Sequence, residues 1–92
     1  MKKIEKLNLI EGTFSHEDAN EILMNIFSNK INFHEMNNFR SQERLGKEDD
    51  TAKKRITELK KEIEKVLQIL SEAKSNNKKL VITSKICISL LD

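Results

Sequence analysis

Between Ala52 and Ala73 the apolar residues Ala52, Ile56, Leu59, Ile63, Val66, Leu70 and Ala73 recur at alternating steps of four and three. On an α-helix that spacing gathers all of them into one narrow stripe. It is the seam of a coiled coil, with Ile56, Ile63 and Leu70 at a and Leu59 and Val66 at d. A strand cannot carry this period, so the chain must hold one long helix with a face it has to bury. Asp49-Asp50-Thr51 offers its N-cap, and the pattern runs to about Lys74. Leu67 and Ile69 widen the stripe beyond a strict seam, which predicts burial against more than one surface. Two destinations are open: the chain's own sheet, or a partner helix. In the second case Ile56, Leu59, Ile63, Val66 and Leu70 are the assembly residues.

The flanks read as strands. From Ile4 to Phe14, Leu7 and Leu9 alternate with Asn8, and Gly12 marks either a bulge or the strand end. From Lys79 to Leu91 the chain is rich in β-branched residues. Leu80, Ile82, Ile86, Ile88 and Leu90 share one face, and Val81, Thr83, Lys85, Cys87 and Ser89 the other. Ser75-Asn76-Asn77 makes a tight turn before it, because asparagine tolerates left-handed backbone. About 25 helical residues span roughly 37 Å and about 12 strand residues roughly 40 Å. The last strand is therefore expected to run back along the whole long helix.

Ser15-His16-Glu17-Asp18 resembles a capping box, and Ala19, Ile22, Leu23, Ile26 and Phe27 behind it form an amphipathic helix that weakens at Ser28-Asn29-Lys30. The stretch from Ile31 to Gly46 is the least regular. A short strand with a helical turn and a kinked continuation of the helix both fit it. The expected fold is α+β, in the order β-α-(short irregular or helical)-α-β. A small antiparallel sheet from the two chain ends packs against two main helices in a single domain spanning residues 1–92.

Such a chain is hard to stabilise alone. At 92 residues it buries only about 60–65% of the surface that its unfolded form exposes. One cysteine, Cys87, allows no internal disulfide, and two histidines with one thiol do not make a structural zinc site. Good helix packing and self-association remain. A two-stranded sheet leaves both edges open, so the expected remedy is a homo-oligomer, dimer or higher, joined through the sheet edge, the long helix, or both.

Seventeen basic and fifteen acidic residues leave a net charge of +2, well mixed along the chain. Nucleic-acid binding is not expected from this balance. No apolar run approaches the roughly 20 residues of a membrane span, and Met1-Lys2-Lys3-Ile4 lacks the apolar core of a secretory signal. A cytoplasmic location is the expectation.

Chemistry concentrates between Lys30 and Lys47. Arg40 and Arg44, in a chain that otherwise favours lysine, share one face of any helical turn. Guanidinium forks there would hold phosphate or carboxylate in bidentate fashion. His34, Asn38 and Ser41 would donate hydrogen bonds, Lys47 would add charge, and Phe33 or Phe39 would stack on a base. The structural alternative is that Arg40 and Arg44 pair with Glu43, Glu48 or Asp49 and the phenylalanines are core.

Elsewhere the signals are structural. His16 reads as a solvated helix start and Cys87 as an inert half-buried thiol. Lys47-Glu48-Asp49-Asp50 reads as a cap without the alternating ligands of a calcium loop. On the long helix Lys53, Lys54, Lys60, Lys61 and Lys65 interleave with Glu58, Glu62 and Glu64 as a solvated face. There is no glycine-rich phosphate loop, paired-carboxylate signature or Ser-His-Asp set. Neither enzymatic activity, nor a cofactor, nor a metal is expected.

The segments Leu7-Asn8-Leu9-Ile10-Glu11-Gly12-Thr13-Phe14, Lys30-Ile31-Asn32-Phe33-His34 and Ser41-Gln42-Glu43-Arg44-Leu45-Gly46-Lys47 resemble small proteins of Bacteroidetes-like bacteria and their phages. That resemblance covers most of the chain and carries no functional residues with it. In size and character the chain is also similar to compact phage proteins that oligomerise and sequester nucleotide immune signals, an analogy without a shared motif. The expected function is non-enzymatic capture of a phosphate-bearing small molecule, a nucleotide or cyclic-nucleotide signal. The alternative is a protein–protein or antitoxin-like regulatory module that uses the heptad face.

Overall fold

A computed structural model describes residues 4–91. The start of the chain, read above for a leader, and Asp92 lie outside the described residues. The order is β1 (Ile4–Phe14), α1 (His16–Leu45), α2 (Asp50–Ser75) and β2 (Leu80–Ser89). The two strands pair antiparallel into one sheet, and the architecture is α+β.

Helix α1 is one element of 30 residues. Neither glycine nor proline occurs between its N-cap and Gly46. The weak formers Ser28 and Asn29 cost only a few tenths of a kcal/mol each. What carries the helix through them is a half-buried line, Met24, Phe27, Ile31, His34, Asn38 and Ser41, at steps of three and four. Of the two readings of residues 31–46, the continuation of the helix is what forms, as far as Leu45, and the short strand does not. Ser15 Oγ accepts from the Asp18 N–H at 3.1 Å at one end. At the other, Gly46 sits at φ 68° and its N–H donates to the Gln42 carbonyl, a left-handed stop that suits glycine.

Helix α2 starts at Asp49, whose Oδ1 accepts from the Ala52 N–H at 3.1 Å. Its heptad stripe is turned inward. Ala52, Leu59, Leu70 and Ala73 are buried, and Ile56, Ile63 and Val66 are half-buried. The facing surface is α1, running antiparallel after the short turn 46–49. Within one chain the seam expected to serve assembly, Ile56, Leu59, Ile63, Val66 and Leu70, faces α1. Closing so short a loop costs little entropy compared with recruiting a partner helix. Leu67 and Ile69 stay about half exposed.

In the sheet, Phe14, Gly12 and Ile10 lie opposite Leu80, Ile82 and Ser84. The register then slips between Asn8 and Ile10, leaving Leu9 as a bulge, and resumes with Leu7 opposite Ile86 and Glu5 opposite Ile88. The extra residue re-phases β1, so Ile10 and Leu7, three apart, share the face of Ile82 and Ile86. The alternation of Leu7 with Leu9 thus misplaced the two leucines, and Gly12 is paired normally.

That face meets the helices only near the root of the hairpin. Leu23, Val66, Ile69 and Leu70 share a hollow with Leu80, Ile82 and Thr83, whereas every residue of β2 from Lys85 onward is exposed. The last strand does not run along the long helix; matched lengths set no crossing angle. The molecule measures 50 × 37 × 15 Å, too broad for a ribbon lying along its hairpin. Its radius of gyration of 16.8 Å exceeds the about 12 Å of a compact chain of this length. Among the described residues the buried apolar ones are Ile10, Ala19, Ala52, Leu59, Leu70 and Ala73. Half of them are alanines, so the core is thin. No helix among the described residues is long and apolar enough to cross a membrane.

Candidate functional site

The turn end of the hairpin is held by side chains reaching across it. Asn38 Oδ1 accepts from the Asp49 N–H at 2.7 Å, and Ser41 Oγ donates to the Lys47 carbonyl at 2.9 Å. Gln42 Nε2 approaches Glu48 Oε1 at 3.5 Å, and Lys53 pairs with Glu48. The Glu48 carboxylate holds the Lys53 ammonium above the usual lysine range. Each acid of the turn thus has a partner already: Glu48 serves Lys53, and Asp49 caps α2.

The consequence falls on Arg40 and Arg44. Among the described residues neither has an ion-pair or hydrogen-bond partner. The pairing with Glu43, Glu48 or Asp49 that the sequence allowed does not form. Both arginines line an open hollow of about 560 Å³ together with Asn37, Ser41, Leu45 and Asp49. Two like charges at i,i+4 repel by a few tenths of a kcal/mol, and an anion bridging them would remove that cost.

The helical phase of α1 sorts the other expected site residues. At 100° per residue, Phe33 and Asn37 fall on the same stripe as Arg40 and Arg44, and Lys30 lies at its margin. Lys30 Nζ stands 5.8 Å from the centre of the Phe33 ring, and His34 meets that ring edge-on at 5.3 Å. Phe33 is about half exposed. His34, Asn38 and Ser41 instead belong to the half-buried line that faces α2. Asn38 and Ser41 are engaged in holding the turn. Phe39 lies on another side of the helix, some 130° from the stripe, so it does not join the arginines. Lys47 is exposed in the turn and gives its carbonyl to Ser41.

Asn37 and Lys30 were not singled out from the sequence. Their signal is the spacing Lys30, Phe33, Asn37, Arg40, Arg44, legible only once the segment is known to be continuous helix. Of the remaining candidates, His16 Nε2 sits 3.8 Å from Glu17 Oε1 at the helix start. Cys87 is exposed, more open than the half-buried thiol expected. No group of three or more metal-ligating side chains forms among the described residues.

Comparisons with protein-family models, with curated proteins and with solved structures return no match.

Proposed function

We propose that this chain is a non-enzymatic, cytoplasmic, oligomeric binding protein that captures a phosphate-bearing small molecule, of the nucleotide or cyclic-nucleotide class, at the turn end of its helical hairpin. The observation that carries the reading is the pair Arg40 and Arg44, side by side on one face and without an internal counter-ion among the described residues. Unpaired guanidinium groups beside a turn whose acids, Glu48 and Asp49, already serve Lys53 and the α2 cap are an invitation to an anion, and their planar forks suit phosphate oxygens. Asn37, one turn before Arg40, supplies a neutral donor, and the exposed ring of Phe33, two turns back along the stripe, offers a face for a base.

A small anion suits the site better than a nucleic acid. The outer face of α2 alternates in sign, as the Arg55–Glu58 and Lys53–Glu48 pairs illustrate, so no basic track extends from the hollow. A binder without chemistry of its own acts by sequestering what it holds, or by changing partner once occupied.

Calorimetry and thermal-shift measurements with linear and cyclic nucleotides test the proposal. Wild type should bind at least one of them, and the double variant Arg40→Ala/Arg44→Ala should bind none. Wild type and double variant responding alike to every ligand would end it.

A further inference from the structure

We propose that the free edge of β2 is where a second copy of this chain docks, forming a continuous four-stranded sheet β1-β2-β2-β1 about a two-fold axis. The contact does not depend on the nucleotide reading.

The chain has surface to spare. A compact protein of this mass exposes about 5,500 Å², and this one exposes 7574 Å². The excess, about 2,000 Å², is more than the roughly 800 Å² per partner of a standard interface. Among the described residues, Ile4, Leu7, Leu9, Val81, Ile86 and Ile88 on the two strands are large apolar side chains that stay at least 39% exposed. Leu7, Ile86 and Ile88 occupy the same sheet face as Ile10, Ile82 and Leu80. The first three are 50, 39 and 48% exposed, because the helices cover only the root half. That face, apolar but for Glu5 opposite Ile88, runs on beyond its own cover.

The two edges differ in what they invite. The β1 edge carries the Leu9 bulge and the charges of Glu5, Lys6 and Glu11, both of which discourage strand addition. The β2 edge holds ten residues without bulge, glycine or proline, and Lys85 is their one charge. Strand addition belongs there.

Symmetry then covers the exposed half. In an antiparallel β2–β2 pair, residues 80–84 of one copy lie beside the far half of the other. Each copy's helix-backed root thus flanks its partner's bare tip. A two-fold axis normal to the sheet pairs like faces only when centred on a residue. A centre at Lys85 would oppose two ammonium groups, which is unfavourable. Centring on Ser84 or Ile86 avoids this and keeps the two Cys87 Cα atoms within about 20 Å of each other.

Light scattering without ligand at micromolar concentration should give twice the 10.7 kDa chain mass. Ile86→Asp/Ile88→Asp should give a monomer with its helical circular dichroism retained. Cys87 is exposed on the opposite face, so a spin label there leaves the contact intact. In otherwise wild-type protein, dipolar spectroscopy should show a label-to-label distance below about 30 Å. A monomeric wild type, a dimer that survives the double substitution, or labels only at longer separations would overturn the proposal. The distance measurement decides the matter should the double variant fail to fold.

Discussion

The side-chain carbonyl of Asn38 accepts a hydrogen bond from the backbone N–H of Asp49 at 2.7 Å, and Asp49 in turn caps α2. One side chain of α1 thereby orients the first turn of α2. Asn38→Ala leaves a part-buried N–H without its partner, which costs about 1–2 kcal/mol. For a domain of this size, each kcal/mol lowers Tm by about 4–8 °C, readable by circular dichroism. Asn38 holds the turn and does not line the arginine stripe. In the folded variant, nucleotide affinity should therefore stay within about twofold of wild type.

Leu59 separates an internal seam from an interface. It is buried against α1 within one chain, so Leu59→Ala should cost about 2–4 kcal/mol of unfolding free energy by leaving a cavity. The loss should be independent of protein concentration once both proteins are in the same oligomeric state. Light scattering at a temperature where the variant is folded should show an unchanged mass. A variant that is fully stable but dissociated would mean that the seam faces another copy.

These residues also show what was legible in advance. The caps at Ser15 and Asp49 and the bounds of β1 are local signals, set by side chains a few residues away, and they match the structure. The second half of α1 is different: its inward line contains His34, Asn38 and Ser41, which hydrophobic periodicity does not register. Without that half-helix the seam of α2 had only the chain's own sheet or another copy left to face. The Leu9 bulge was hidden because Leu7-Asn8-Leu9 imitates a regular strand, and only pairing with β2 reveals the slip. At the site, the adjacency of Arg40 and Arg44 follows from spacing alone. The exclusion of Phe39 needed the helix to be continuous, so that its phase could be carried from Phe33 to Arg44.

Deleting Leu9 probes the bulge. Without the extra residue, Ile10 and Leu7 still alternate onto the same face, so the fold and its helix content should persist. What changes is the β1 edge, which becomes a regular strand with a row of unpaired backbone groups. The deletion variant should form assemblies larger than wild type at matched concentration, detected as a higher mass in light scattering. An unchanged mass would show that the charges of Glu5, Lys6 and Glu11 protect this edge unaided.

Arg40→Glu sets stability against function. It replaces a repulsive i,i+4 pair by a carboxylate one turn ahead of Arg44, the favourable orientation on a helix, but also sets that carboxylate at i,i+3 from Glu43, leaving a net gain of about 0.2–0.5 kcal/mol. The ligand-free variant should therefore melt slightly above wild type, by about 1–4 °C for a chain of this length. The same change puts a negative charge where a phosphate would sit, so nucleotide binding should fall by at least about tenfold, or 1.4 kcal/mol. Opposite signs in the two measurements are what a site built on unrelieved charge requires. If the substitution lowers stability by more than the few tenths of a kcal/mol that repulsion from Glu43 accounts for, Arg40 has a structural partner after all, and the anion site loses its physical basis.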